Sequence, residues 1–63
     1  MIVTFTDRGG EFFAFNLDNL KGISCYRQEI AIEDKNNHSV WYAVPTGEVE
    51  KVKKQLEKIS KNA

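Results

Sequence analysis

The chain has 63 residues, nine acidic and nine basic side chains, 41% hydrophobic residues and a single cysteine. A chain this short makes one domain, buries only about 60% of the surface its unfolded state exposes, and draws a stability margin of roughly 3–5 kcal/mol from an unassisted core. One cysteine excludes an internal disulfide, the balanced charge lacks the basic footprint of a duplex-binding protein, and no stretch approaches the roughly 20 apolar residues of a membrane helix.

Ile2–Thr6 reads as a first strand, rich in β-branched and aromatic residues. Asp7-Arg8-Gly9-Gly10 is a hairpin turn whose glycines supply positive φ. Glu11–Asn16 returns as a second strand, and Leu17-Asp18-Asn19-Leu20 turns the chain again. Gly22–Arg27 is a third strand, and Ile30-Ala31-Ile32, alternating with Glu29 and Glu33, marks a fourth. The break at Gln28-Glu29 leaves open whether these are two strands or one bent strand. Asp34-Lys35-Asn36-Asn37 makes a second hairpin turn, followed by a fifth strand at Ser39–Val44. Every connection is short, so the expected topology is an antiparallel meander.

At Pro45-Thr46-Gly47 the hydrophobic period changes. Val49, Val52, Leu56 and Ile59 recur at the spacing of one helix face. The expected helix runs over about 47–61, with Thr46 as N-cap, Glu48 and Glu50 near its start and Lys58 and Lys61 near its end, as the helix dipole favours. Glu50 with Lys54 and Lys53 with Glu57 are spaced for ion pairs. Residues 1–46 carry Arg8, Lys21, Arg27 and Lys35 against Asp7, Glu11, Asp18, Glu29, Glu33 and Asp34; the rest carries five lysines against three glutamates. The molecule is mildly dipolar. The expected fold is therefore α+β: residues 1–63 as a single domain, a strongly coiled antiparallel sheet of about five strands, and one C-terminal helix on one face.

Strand alternation sorts the side chains into two sets. Val3, Phe5, Phe13, Phe15, Ile23, Cys25, Ile30, Ile32, Val40, Tyr42 and Val44 form a nearly all-apolar set assigned to the core. The second set is mixed but holds Ile2, Phe12, Tyr26 and Trp41. One helix covers one face. Either the sheet coils until both faces share a core, or these four residues form a partner-binding or self-association surface.

No residue pattern calls for catalysis, a metal or a cofactor. Cys25 reads as a small buried hydrophobe, with only Arg27 nearby to activate it. His38 reads as a solvated turn residue. Asp7, Asp18 and Asp34 sit where turns favour Asp for backbone reasons. Gly9-Gly10 lacks the Lys-Ser/Thr ending of a phosphate loop. Lys51, Lys53, Lys54, Lys58 and Lys61 are interleaved with glutamates, as on an ordinary solvated face. Base stacking on Phe12, Tyr26 and Trp41 would need cations beside the rings; only Arg27 is adjacent, and it points to the other face. The N-terminal segment has neither a charged region nor a long apolar run of the kind a targeting signal needs.

Met1-Ile2, a turn with Gly9, then Glu11-Phe12, then Asn16 and Asp18 before Leu20 resembles the small FlbD/SwrD flagellar proteins in order and length over most of the chain. The later hairpin and terminal helix fit that outline. The chain departs from it at Asn36-Asn37-His38, where the family tends to have an Asn-Gly turn. The resemblance implies a non-enzymatic accessory role and assigns no functional residue. Similar short strand-rich chains are common in phages. The expected function is a small cytoplasmic interaction module, self-associating and phage-encoded or flagellar-accessory, acting on a protein partner. The alternatives are a nucleic-acid-associated protein using the lysine-bearing helix and a small-ligand-sequestering oligomer.

Overall fold

Ile2–Thr6 forms β1 and Phe12–Asn16 forms β2, in register from Ile2 opposite Asn16 to Thr6 opposite Phe12. A 3-10 turn at Leu17–Asn19 leads into β3 (Leu20–Cys25), which pairs with β4 (Glu29–Asp34), itself paired with β5 (Ser39–Ala43). The helix α1 spans Thr46–Lys61. These are the elements of a computed structural model that describes residues 1–61.

The architecture is α+β with five antiparallel strands, as expected, but the strands divide into two sheets. β1 and β2 make one; β3, β4 and β5 make the other. The stretch 22–34 is two strands rather than one bent strand: the Tyr26 N–H donates to the Glu29 carbonyl at 2.8 Å and closes a tight reversal. The first hairpin loop is tied to β5 where the Arg8 N–H donates to the Ala43 carbonyl (3.0 Å), beside the Val44 N–H to Gln28 carbonyl bond (3.0 Å) that extends the β4–β5 ladder.

Two hairpin loops share one hydrogen-bond pattern. In the first, Asp7 N–H donates to the Glu11 carbonyl, Gly10 N–H to the Asp7 carbonyl, and Glu11 N–H to Asp7 Oδ1. In the second, Asp34, Asn37 and His38 take the places of Asp7, Gly10 and Glu11. The fourth residue of each loop is left-handed, with φ +84° at Gly10 and +66° at Asn37. Glycine and asparagine are the residues that tolerate this conformation. Of the two glycines in the first loop, only Gly10 supplies positive φ.

The inner faces of both sheets and the helix share one core. Val3, Phe5, Ile30, Ile32, Val44, Val49 and Val52 are buried, and Phe13, Phe15, Ile23, Cys25, Tyr42, Leu56 and Ile59 pack around them. Phe5 lies at the centre of an aromatic cluster, 5.5 Å from Phe13, 5.8 Å from Phe15 and 5.4 Å from Tyr42 between ring centres. Such pairs add about 0.5–1.5 kcal/mol beyond their burial. Val40 is the exception to the expected core set, at 51% exposed. The cluster meets β5 at Tyr42, and Val40 lies two residues away toward the turn, outside it.

The helix begins one residue earlier than expected. The Pro45 carbonyl accepts from the N–H groups of Glu48 (3.0 Å) and Val49 (3.3 Å), so Pro45 takes the capping position assigned to Thr46. Along the described part of the helix the ion pairs are Lys51 with Glu48 and Lys53 with Glu50, three residues apart instead of four. α1 packs chiefly on β1 and also against β3.

Candidate functional site

Two stretches of strand surface carry the chain's exposed aromatic side chains. Their geometry follows from which backbone groups and which faces the fold leaves uncovered.

In an antiparallel pair, alternate residues turn their N–H and C=O groups toward the partner and away from it. Leu17 N–H donates to the Met1 carbonyl (2.8 Å) and Asp7 N–H to the Glu11 carbonyl (2.9 Å) at the two ends of the β1–β2 ladder. The pairs Val3–Phe15 and Phe5–Phe13 are therefore the bonded ones, and Thr4 and Thr6 face the other way. The helix meets them. Gln55 accepts from Thr4 N–H at 3.0 Å and donates to the Thr4 carbonyl at 2.8 Å, while Glu48 Oε1 accepts from Thr6 N–H at 2.7 Å. The side chains of α1 thus stand where another strand's backbone would. By the same alternation, Phe12, Ala14 and Asn16 turn their backbone groups to the far side of β2. Asn16 caps the 3-10 turn, whose first bond uses its carbonyl; among the described residues no loop or side-chain group bonds the backbone of Phe12 or Ala14, and all three residues are exposed.

The second surface is the outer face of β3–β4–β5. Tyr26 and Trp41 stack there at 4.9 Å with 27° between their planes, and are 47% and 54% exposed. Trp41 lies opposite Ala31, which lies opposite Ser24, so the rings stand over a floor of small side chains. Glu29 and Glu33 flank Ala31 on the same face of β4. Neither is in an ion pair among the described residues.

The four residues singled out from the sequence are all exposed, with Ile2 at 61% and Phe12 at 62%, but they do not form one patch. Tyr26 and Trp41 belong together. Phe12 stands on β2 opposite Thr6, and Ile2 at the other end of that sheet opposite Asn16. Ile2 instead lines a shallow open groove of about 260 Å³ with Met1, Gln55, Lys58 and Ile59. Sequence reasoning missed Gln55, which has the signature of any solvated helix residue, and the placement of Glu29 and Glu33 beside the aromatic pair.

The remaining candidates are local. Burial raises the Cys25 thiol above its ordinary pKa, with Lys53 pulling it down and Glu50 pushing it up; a raised thiol is a poor nucleophile at neutral pH. His38 Nδ1 stands 3.7 Å from Asp34 Oδ2, beyond hydrogen-bond distance, on the exposed second hairpin. Asp34 Oδ1 accepts from Asn36 and His38 N–H groups, and the His38 bond leads in holding its carboxyl below the usual range. Asp7 plays the same part in the first loop, and Asn16, not Asp18, caps the 3-10 turn by accepting from Asp18 N–H. Among the described residues no three His, Cys, Asp or Glu side chains converge to hold a metal ion, and no helix is long and apolar enough to cross a membrane.

Compared with known proteins, the chain matches no family model, no curated protein and no solved structure.

Proposed function

We propose that the chain is a small non-enzymatic interaction module whose docking face is the outer surface of β3–β4–β5. The observation that carries this reading is the exposed, stacked Tyr26–Trp41 pair over the small side chains of Ala31 and Ser24. Two ordered aromatic rings offer a large, rigid contact area at little entropic cost, as the anchors of protein interfaces do. Glu29 and Glu33 give the same face a negative rim. The partner it suits presents a cationic side chain, an arginine above all, able to lie over the Trp41 ring and reach a carboxylate.

A cytoplasmic setting suits a single free thiol that stays reduced, and the resemblance to the FlbD/SwrD proteins agrees with an accessory role. The lysine-bearing helix supports a nucleic-acid reading less well, since Lys51 and Lys53 already sit beside glutamates.

Titration with a set of short arginine-containing peptides, followed by the fluorescence of the sole tryptophan, tests this. A saturable change that the Glu29→Gln/Glu33→Gln variant weakens at least several-fold is the expected result. A response to acidic peptides alone, or one indifferent to Tyr26→Ser, overturns it.

A further inference from the structure

The four strand edges of the molecule are treated differently. α1 closes the β1 edge through Gln55 and Glu48. It also packs against β3. The β5 edge is pinned at one end, where the Ala43 carbonyl accepts from Arg8. Among the described residues β2 presents unpaired groups at Phe12 and Ala14 and the N–H of Asn16, and β5 presents them at Ser39 and Trp41. Natural edges are usually blunted by a charge, a proline or a bulge. β2 has none of these: it reads Phe12-Phe13-Ala14-Phe15-Asn16, uncharged and in unbroken register with β1.

The strand is also self-complementary. Read in either direction from Ala14, the neighbours are phenylalanines. We propose that β2 pairs antiparallel with β2 of a second copy about a two-fold axis at Ala14, joining two two-stranded sheets into one of four strands. Ala14 faces Ala14 of the second copy and exchanges both backbone bonds with it. On either side the Asn16 N–H donates to the Phe12 carbonyl of the second copy, while the Asn16 carbonyl stays with the 3-10 turn. On the inner face Phe13 lies opposite Phe15 of the second copy. Both rings are only half-buried in the monomer, although they belong to the aromatic cluster, and the second copy supplies the cover that β2, as an edge, lacks. With no charged residue on the strand, the two-fold brings no like charges together.

The contact covers roughly 230–380 Å² per copy if each of the strand's phenylalanines loses about half of what a fully buried ring loses. A stable complex usually covers about 800 Å² per partner, so the expected dimer is weak and concentration-dependent. This surface is separate from the Tyr26–Trp41 face, and each proposal stands or falls without the other.

Sedimentation velocity from micromolar to millimolar protein is the test, with three chains compared. The wild type moves from monomer toward dimer. Ala14→Pro removes the N–H groups at the two-fold but none that bonds β1, and stays monomeric with the wild-type circular dichroism. In a Cys25→Ser background, Ala14→Cys cross-links on oxidation, because bonded antiparallel pairs place Cα atoms about 5.5 Å apart, within the disulfide range of about 4.4–6.8 Å. A wild type monomeric at millimolar concentration, a dimer that survives Ala14→Pro, or a cysteine at 14 that cross-links no faster than Ser24→Cys overturns the proposal. Should Ala14→Pro fail to fold, the cysteine pair and the wild-type sedimentation decide it.

Discussion

The two edges of the β1–β2 sheet differ in how their backbone groups are met. On β1, Thr4 and Thr6 are matched by Gln55 and Glu48 of the helix. On β2, no helix or loop group among the described residues meets the outward backbone groups of Phe12 and Ala14. Both strands have five residues, no charge and no proline, so the difference does not lie in such edge-blunting residues. It lies in what the chain does about forty residues later, when α1 turns back along β1. A helix can replace a neighbouring strand if it carries one amide side chain with donor and acceptor at the right height. A two-stranded sheet has two edges, and this chain has one such helix.

The largest expected effect removes what both edges rest on. Phe5→Ala empties the fully buried centre of the aromatic cluster. At about 3–5 kcal/mol it consumes the whole margin of a domain this size, and circular dichroism should show a chain largely unfolded at room temperature. The closed edge comes next. Gln55→Ala leaves the part-buried Thr4 N–H and C=O unpaired and should cost about 1–3 kcal/mol in urea unfolding, with faster hydrogen exchange at Thr4. Gly10→Ala, in the loop joining the two strands, meets no neighbouring atom but is held at φ +84°; the backbone alone should cost about 1 kcal/mol. On the open edge, Phe12→Ser should change monomer stability by less than about 0.5 kcal/mol, although it lies in the same sheet as Gln55's partner. Equal effects for Gln55→Ala and Phe12→Ser would remove the distinction between the edges.

The smallest effect is a pH dependence in the other hairpin. The folded Asp34 carboxyl titrates below its unfolded value, chiefly because the His38 N–H bonds its charged form. A lowered folded pKa gives stability that is complete above the unfolded carboxylate value of about 3.9 and is lost as pH falls toward the folded value. Between neutral pH and pH 3 the wild type should therefore lose slightly more stability than Asp34→Asn, and urea midpoints at the two pH values measure it.

Much of this was legible in the residues. Alternation in Val3–Phe5, Phe13–Phe15 and Ile30–Ile32 placed the inward side chains, because a strand's two faces are fixed by its own geometry. Asp7 and Asp34 announced both loops, since an Asp side chain bonds its own backbone a few residues on. The same alternation put Ile2, Phe12, Tyr26 and Trp41 on the second face but left its covering open; the structure exposes all four. Their grouping did not. Tyr26 and Trp41 meet because β3 and β5 flank β4 in one sheet, while Ile2 and Phe12 lie on the other. Val40 shares the inward parity of Ile32 and Tyr42 yet stays exposed, because parity says which side a residue faces and not whether anything lies there.

The sequence by itself determined the order of the elements, save whether residues 22–34 make one strand or two, and which side chains turn inward. These depend on period and turn chemistry, which act over a few residues. Only the tertiary structure decided that five strands split into sheets of two and three, that Gln55 closes one edge, and that β2 keeps its backbone open to solvent. Those outcomes depend on pairings across up to 51 positions of chain, where no local pattern specifies which strand or helix arrives alongside.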